Sequence, residues 1–215
     1  MDAPATVLIA AGGALAASPV LASWTVSLVR DEHDRWWCLR RVSVVRWLVV
    51  AIIATLFAAL GAHGAPATAW WLLAVTGAVL AIVDSETYRL PRRVVGPLAG
   101  AEFVVLTATA LPLDEPHRLT RALLAAALVT GLYVVVAVIA PTAMGTADAY
   151  VAGITAGLLG WSSWAHVFIG QVLIWAFGPL AMAGVALARP ADRSWKMRVP
   201  MGPALIAGAM VACRL

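Results

Sequence analysis

Residues 72–91 read LLAVTGAVLAIVDSETYRLP. Twelve uncharged residues run without interruption into Asp84, and a polar, arginine-bearing break follows before Pro91. The uncharged run extends upstream through Trp70 and Trp71 to about residue 67. That makes it long enough to cross a bilayer as a helix, which takes about 17–25 residues. A span ending on a carboxylate sets both the fold class and the functional question.

The rest of the chain repeats the pattern. Of its 215 residues, 62% are hydrophobic and 12% charged, and the mean hydropathy is +0.90. A soluble domain of this size carries about twice that charged fraction. Only helices and closed barrels satisfy every backbone group in lipid, and the ten-residue alternation of a barrel strand is missing. The expected fold is therefore all-α and polytopic, a single integral-membrane domain over 1–215. Eight spans are predicted, at roughly 4–28, 43–62, 67–84, 94–112, 119–140, 149–164, 167–188 and 199–214. The break at GWSSWAH (160–166) is weak, and a seven-span reading stays open there. The first span has no basic residues ahead of its apolar run, so it reads as retained in the mature protein and not as a cleaved signal peptide.

Charge placement orients the chain. Arg30, Arg35, Arg40, Arg41 and Arg46 occupy the first loop, and Arg89, Arg92 and Arg93 the third. Arg189, Arg193, Lys196 and Arg198 occupy the seventh, so twelve of the fifteen Lys and Arg fall on one side. Arg118, Arg121 and Arg214 fall on the other. The positive-inside rule puts the odd-numbered loops in the cytoplasm and both termini outside. The net charge of +4 thus reflects topology, and no nucleic-acid partner is expected. Nine of the ten tryptophans, Trp24, Trp36, Trp37, Trp47, Trp70, Trp71, Trp161, Trp164 and Trp195, fall near predicted interfaces and read as an aromatic belt. The pairs Gly96/Gly100 and Gly153/Gly157 read as close helix-packing positions. Cys38 and Cys213 form no CxxC, and His33, His63, His117 and His166 show no ligand spacing, so neither a metal nor another cofactor is expected.

Three of the eleven carboxylates need an explanation, because an ionisable side chain within a span costs roughly 2.5–3.5 kcal/mol. Asp84 ends the third span and Asp148 opens the sixth, so both are expected at the cytoplasmic edge and at one depth. Two facing carboxylates can share a proton, one taking a proton from water while the other donates. Taken singly, each reads as an interfacial residue, and Asp148 as a helix N-cap. Glu102 lies mid-span with no basic residue nearby in sequence, and is given a supporting role at most.

The flanking residues carry a resemblance. Asp84-Ser-Glu-Thr-Tyr-Arg-Leu-Pro91 resembles the first motif of the type IV prepilin peptidases, an Asp followed after six residues by the Pro of a Leu-Pro pair. Gly145-Thr-Ala-Asp148 is similar to the GxGD motif of intramembrane aspartyl proteases. AGLLGW (156–161) and VPMGPALIAGAMVA (199–212) resemble the stretch after the second Asp and the final helix of those enzymes. The likeness covers about 67–212. It implies a membrane-embedded aspartic endopeptidase with Asp84 and Asp148 catalytic and Pro91, Gly145 and Ala147 supporting the motifs. It also implies a plasma-membrane location, an active site facing the cytoplasm, and a prepilin-like or pseudopilin substrate with a basic leader.

Two departures stand out. Ala147 replaces the Gly before the second Asp, and Tyr150 stands where Lys is common. The first loop, about 15 residues with one Cys, has no room for the zinc-binding methyltransferase domain of longer members, so the short, peptidase-only form is expected. A proton-coupled transporter using the three acids, or a catalytically weak scaffold on the peptidase fold, are the alternative readings.

Overall fold

The computed structural model describes residues 3–30, 42–141, 144–188 and 200–215, with only the backbone over 181–188. Cys38, Trp36, Trp37, Trp195 and the arginines and lysine at 35, 40, 41, 189, 193, 196 and 198 lie outside the described residues. The described residues form eight helices: α1 (Ala3–Val29), α2 (Val44–Gly61), α3 (Ala67–Thr87), α4 (Arg92–Leu113), α5 (Pro116–Ile139), α6 (Thr146–Ser162), α7 (Trp164–Ala188) and α8 (Met201–Ala212). The first five are long and apolar enough to cross a membrane. Helix α8, at about 1.5 Å per residue, extends about 18 Å, short of a full hydrocarbon core of about 30 Å.

Local chemistry sets the helix boundaries. Ser43 caps α2 by accepting from the Arg46 N–H at 3.2 Å. Pro66, Pro91 and Pro200 sit at the N-caps of α3, α4 and α8, and Pro116 opens α5. Proline tolerates these positions because its missing N–H would find no intrahelical partner there. The weak break at GWSSWAH is a genuine boundary one residue wide. Ser163 is fully extended (φ −168°, ψ 166°) between α6 and α7.

The outer surface is apolar. Leu8, Ile9, Val45, Ile52, Leu111 and Ile139 are each more than 60% exposed. Water would penalise such a surface, whereas lipid solvates it, and the chain is a multi-pass helical membrane protein. Helix α3 is the central member. Some 72% of its apolar window is buried, against 22–33% in the other four long helices. Helices α1, α2, α4, α6 and α8 surround it. Helices α5 and α6 share the most extensive interface, where Gly153, Gly157 and Gly160 meet Thr130, Ala126 and Ala125. At the far end of that pair, the Arg121 guanidinium donates to the carbonyls of Gly160, Trp161 and Ser162 at 2.5, 2.6 and 2.9 Å. It thereby satisfies the open C-terminal carbonyls of α6.

Two packing expectations need correction. Trp70 and Trp161 are fully buried and belong to the core, not to an interfacial belt. Trp70 fills space left by Gly64, where an added methyl would collide with its ring. Trp47 and Trp71 each donate the indole N–H to α1, at the Ser18 Oγ and the Ala10 carbonyl. The Gly153/Gly157 pair packs closely, but Gly96 and Gly100 face open space. Spacing alone does not distinguish a glycine pair that meets a helix from one that does not.

Candidate active site

The α3–α4 connection presents Asp84. This residue lies in the last turn of α3, and its backbone carbonyl accepts from the Tyr88 N–H at 2.8 Å. Tyr88 ends the helix in the left-handed region (φ 54°), a conformation normally left to glycine or asparagine. The chain then turns through Leu90 to Pro91, which starts α4. Only 3% of Asp84 is exposed. Its Oδ2 accepts a hydrogen bond from the backbone N–H of Gly202 at 2.8 Å, across 118 positions of sequence.

Gly202 owes this role to the start of α8. The first N–H groups of a helix have no partner inside it. Pro200 and Pro203 lack that group, so Gly202 carries one of the few orphan donors in the turn. A methyl group added there would come within 3.0 Å of Asp84 Oδ2, 3.2 Å of its Cβ and 3.3 Å of Leu90. VPMGP resembles the family pattern, but the resemblance gives Gly202 no partner. The Pro-x-Gly-Pro spacing was the signal that could have identified it.

The α5–α6 connection presents Asp148. Helix α6 begins at Thr146 with Gly145 as N-cap, so Asp148 is its third residue and not the N-cap itself. Its Oδ2 accepts from the Gly145 N–H at 2.7 Å, while its own N–H donates to the Gly145 carbonyl at 3.1 Å. This is the returning half of a capping box. Gly145 is extended (φ −90°, ψ 156°), and neither it nor Ala147 has positive φ. Backbone freedom is therefore not what either position requires. Gly145 provides clearance, since a Cβ would lie 3.1 Å from Asp148 Oδ2. Ala147 sits in ordinary helix, where alanine is favoured.

The two connections meet. The Arg92 guanidinium, next to Pro91, donates to Thr146 Oγ1 at 2.6 Å and ties the start of α4 to the start of α6. Arg92 therefore has a specific partner besides any attraction to headgroups. Asp148 lies near enough for its charge to act on Asp84. On the α2 side, Arg46 forms an ion pair with Glu86 at 2.9 Å. Each carboxylate thus has one oxygen fixed by a backbone N–H, and the pair sits at one end of the bundle.

Glu102 does not join the pair. It lies ten residues into α4, about 15 Å along the helix from Arg92. It is 3% exposed, and neither carboxylate oxygen has a hydrogen-bond partner among the described residues. Tyr150, two residues past Asp148, points outward and is half exposed. Among the described residues, no three His, Cys, Asp or Glu side chains converge as a metal-binding group.

No curated protein and no solved structure matches the chain. The family model of the type IV leader peptidases matches residues 67–180. That stretch is more than half of the chain, runs from the start of α3 into α7, and contains both aspartates with their flanking turns. It stops before α8, so the family match does not include Gly202. The chain belongs to the type IV leader peptidase family.

Proposed function

We propose that this protein is an aspartic endopeptidase that removes the leader from prepilin-like proteins at the cytoplasmic face of the plasma membrane. Asp84 and Asp148 are its catalytic pair. One carboxylate takes a proton from a bound water, which attacks the scissile carbonyl. The other, protonated, donates to the carbonyl oxygen, and on collapse of the gem-diol the first carboxyl passes the proton taken from water to the leaving amine while the second recovers one from a gem-diol hydroxyl. No metal and no covalent enzyme intermediate is needed.

The observation that carries this reading is the convergence of the two family motifs. Each places its carboxylate on a backbone N–H at the same end of the bundle, and Arg92–Thr146 joins the turns that hold them. The Ala147 substitution fits an active site, because that position is helical and demands no glycine. The count of arginines and lysines supports a cytoplasmic site, and an eight-span chain with both termini outside is part of the same proposal. The short leader of the expected substrate is basic and is followed by a small residue and an apolar helix.

The test is co-expression with a prepilin-like substrate. The wild-type chain is expected to remove the leader, and Asp84→Asn and Asp148→Asn are each expected to leave it in place. An inactive wild type, under conditions in which a related peptidase cleaves the same substrate, would leave a scaffold on the peptidase fold.

A further inference from the structure

Halfway along α4 lies an acid that leader cleavage does not use. Glu102 is about 15 Å along the helix from Arg92 and about as far from Leu113, so it sits near the middle of the span. It is buried, and neither of its oxygens has a hydrogen-bond partner among the described residues. Helix α4 packs lightly on α5 and α6, and Glu102 lines a cavity of about 180 Å³ left between them. Thr130 of α5 lines it too, with its Oγ1 standing over Gly153 of α6. Phe103, Leu123 and Tyr150 are half-exposed and form its mouth on the outer surface. Neither aspartate lines it. The α6 residues that do, from Tyr150 to Gly157, are turned roughly 140–240° around the helix from Asp148. The cavity is therefore a site of its own, on the far face of α6 from the candidate catalytic pair.

A buried acceptor left unpaired costs free energy, and a carboxylate costs far more than a hydroxyl or amide. Within a membrane such a group points to a binding or transfer site. The acceptors here are Glu102 Oε1 and Oε2, and the Thr130 oxygen can serve as a third. Thr130 makes no hydrogen bond to Glu102, so a polar atom fits between them. A hard metal ion takes about six to eight oxygens, more than this set offers. A primary ammonium carries three donors, no acceptor and one positive charge, which matches a carboxylate and a hydroxyl. The Phe103 and Tyr150 rings at the mouth also suit a cation. The remaining walls are alanine, glycine, leucine and isoleucine. Water would supply donors and leave those walls wet, whereas an alkyl amine supplies donors and covers the walls with its chain. The volume accepts the ammonium and the first methylenes behind it, since one water takes up about 30 Å³.

We propose that the α4–α5–α6 cavity binds an aliphatic primary amine, with its nitrogen held by Glu102 and Thr130 and its chain leading out into lipid. A neutral amine enters from the bilayer and takes the proton of the Glu102 acid. The carboxyl O–H bond breaks, an N–H bond forms, and an ion pair is left without a net charge having crossed the lipid. An aminolipid headgroup carries the same ammonium, but it stays hydrated at the membrane surface, about 15 Å from Glu102. The bound amine joins α4 to the two helices that otherwise touch it lightly. Its binding does not depend on leader cleavage.

The test uses the full-length chain in phosphatidylcholine vesicles, which contain no primary amine. Hexylamine is the probe, and hexanol is the control of equal chain length. Hexylamine is expected to raise the melting temperature of the wild type, and hexanol to leave it unchanged. Glu102→Gln is expected to abolish the shift. Thr130→Val is expected to weaken the apparent affinity about 3- to 10-fold, the worth of one hydrogen bond within a membrane. No shift in the wild type, an equal shift from hexanol, or a full shift in Glu102→Gln overturns the proposal.

A second measurement needs no variant. A hexylamine analogue with a photoreactive diazirine at its chain end is expected to label the wild type near Phe103 and Leu123, and excess hexylamine to suppress that labelling. Labelling spread over the outer faces of α1 and α2, or unaffected by hexylamine, overturns the proposal. Suppression by phosphatidylethanolamine in place of hexylamine would assign the site to a lipid headgroup and overturn the free amine as its ligand.

Discussion

Asp84 and Asp148 each have one oxygen bound to a backbone N–H, but the two donors come from opposite ranges of the chain. Asp148 takes its hydrogen bond from Gly145, three residues away, within the first turn of its own helix. Asp84 takes its bond from Gly202, 118 positions away, on a helix that must dock before the bond can exist. The second half of the site is therefore local and preformed, while the first is completed only by the tertiary fold. Both halves use a glycine in the same way. Each lacks a Cβ that would stand 3.0–3.1 Å from a carboxylate oxygen, so close approach and not unusual backbone geometry is the reason for both.

The strongest challenge to this comparison is removal of either carboxylate. Asp84→Asn or Asp148→Asn should lower leader cleavage by at least about 10²–10⁴-fold, the usual contribution of a positioned acid or base, read by gel shift of a purified substrate. Next comes the long-range half. Gly202→Ala pushes a methyl against Asp84 and Leu90 at once, so kcat is expected to fall about 10- to 100-fold with the fold retained. Gly145→Ala should cost less, about 3- to 10-fold, because its only close neighbour is the movable end of Asp148. An equal loss for both glycines would remove the distinction between a tertiary and a local half. Arg92→Ala breaks the bond to Thr146 and should lower thermal stability by about 1 kcal/mol while reducing cleavage severalfold. Smallest is Ala147→Gly, which restores the residue of the motif but should not raise cleavage beyond about twofold. It should instead weaken α6 by roughly 0.5–1 kcal/mol, measurable as a lower melting temperature.

The same contrast explains what could be read from the sequence. The helices were legible because apolar run length and proline placement are local properties, and the breaks before Arg92, Pro116 and Thr146 came within a few residues of their predicted places. Asp84 and Asp148 were legible as candidates because an acid at the end of an apolar run is itself anomalous. Gly202 was not legible as a partner of Asp84, since nothing local says where an orphan N–H will point. Trp70 and Trp161 misled for a related reason. Their position near a helix end suggested an interface, yet burial is decided by tertiary packing, as where Trp70 meets Gly61 and Gly64. Gly96/Gly100 and Gly153/Gly157 have the same spacing, and only the second pair found a neighbour.

On the proposed mechanism the two aspartates act as one unit. Single-turnover cleavage of a prepilin-like substrate by Asp84→Asn, by Asp148→Asn and by the double variant, all in vesicles, tests it most directly. Each single variant is expected to lose nearly all activity and the double variant to fall no further, as for residues sharing one water. Cleavage near the wild-type rate by either single variant, or losses that multiply in the double variant, would contradict it.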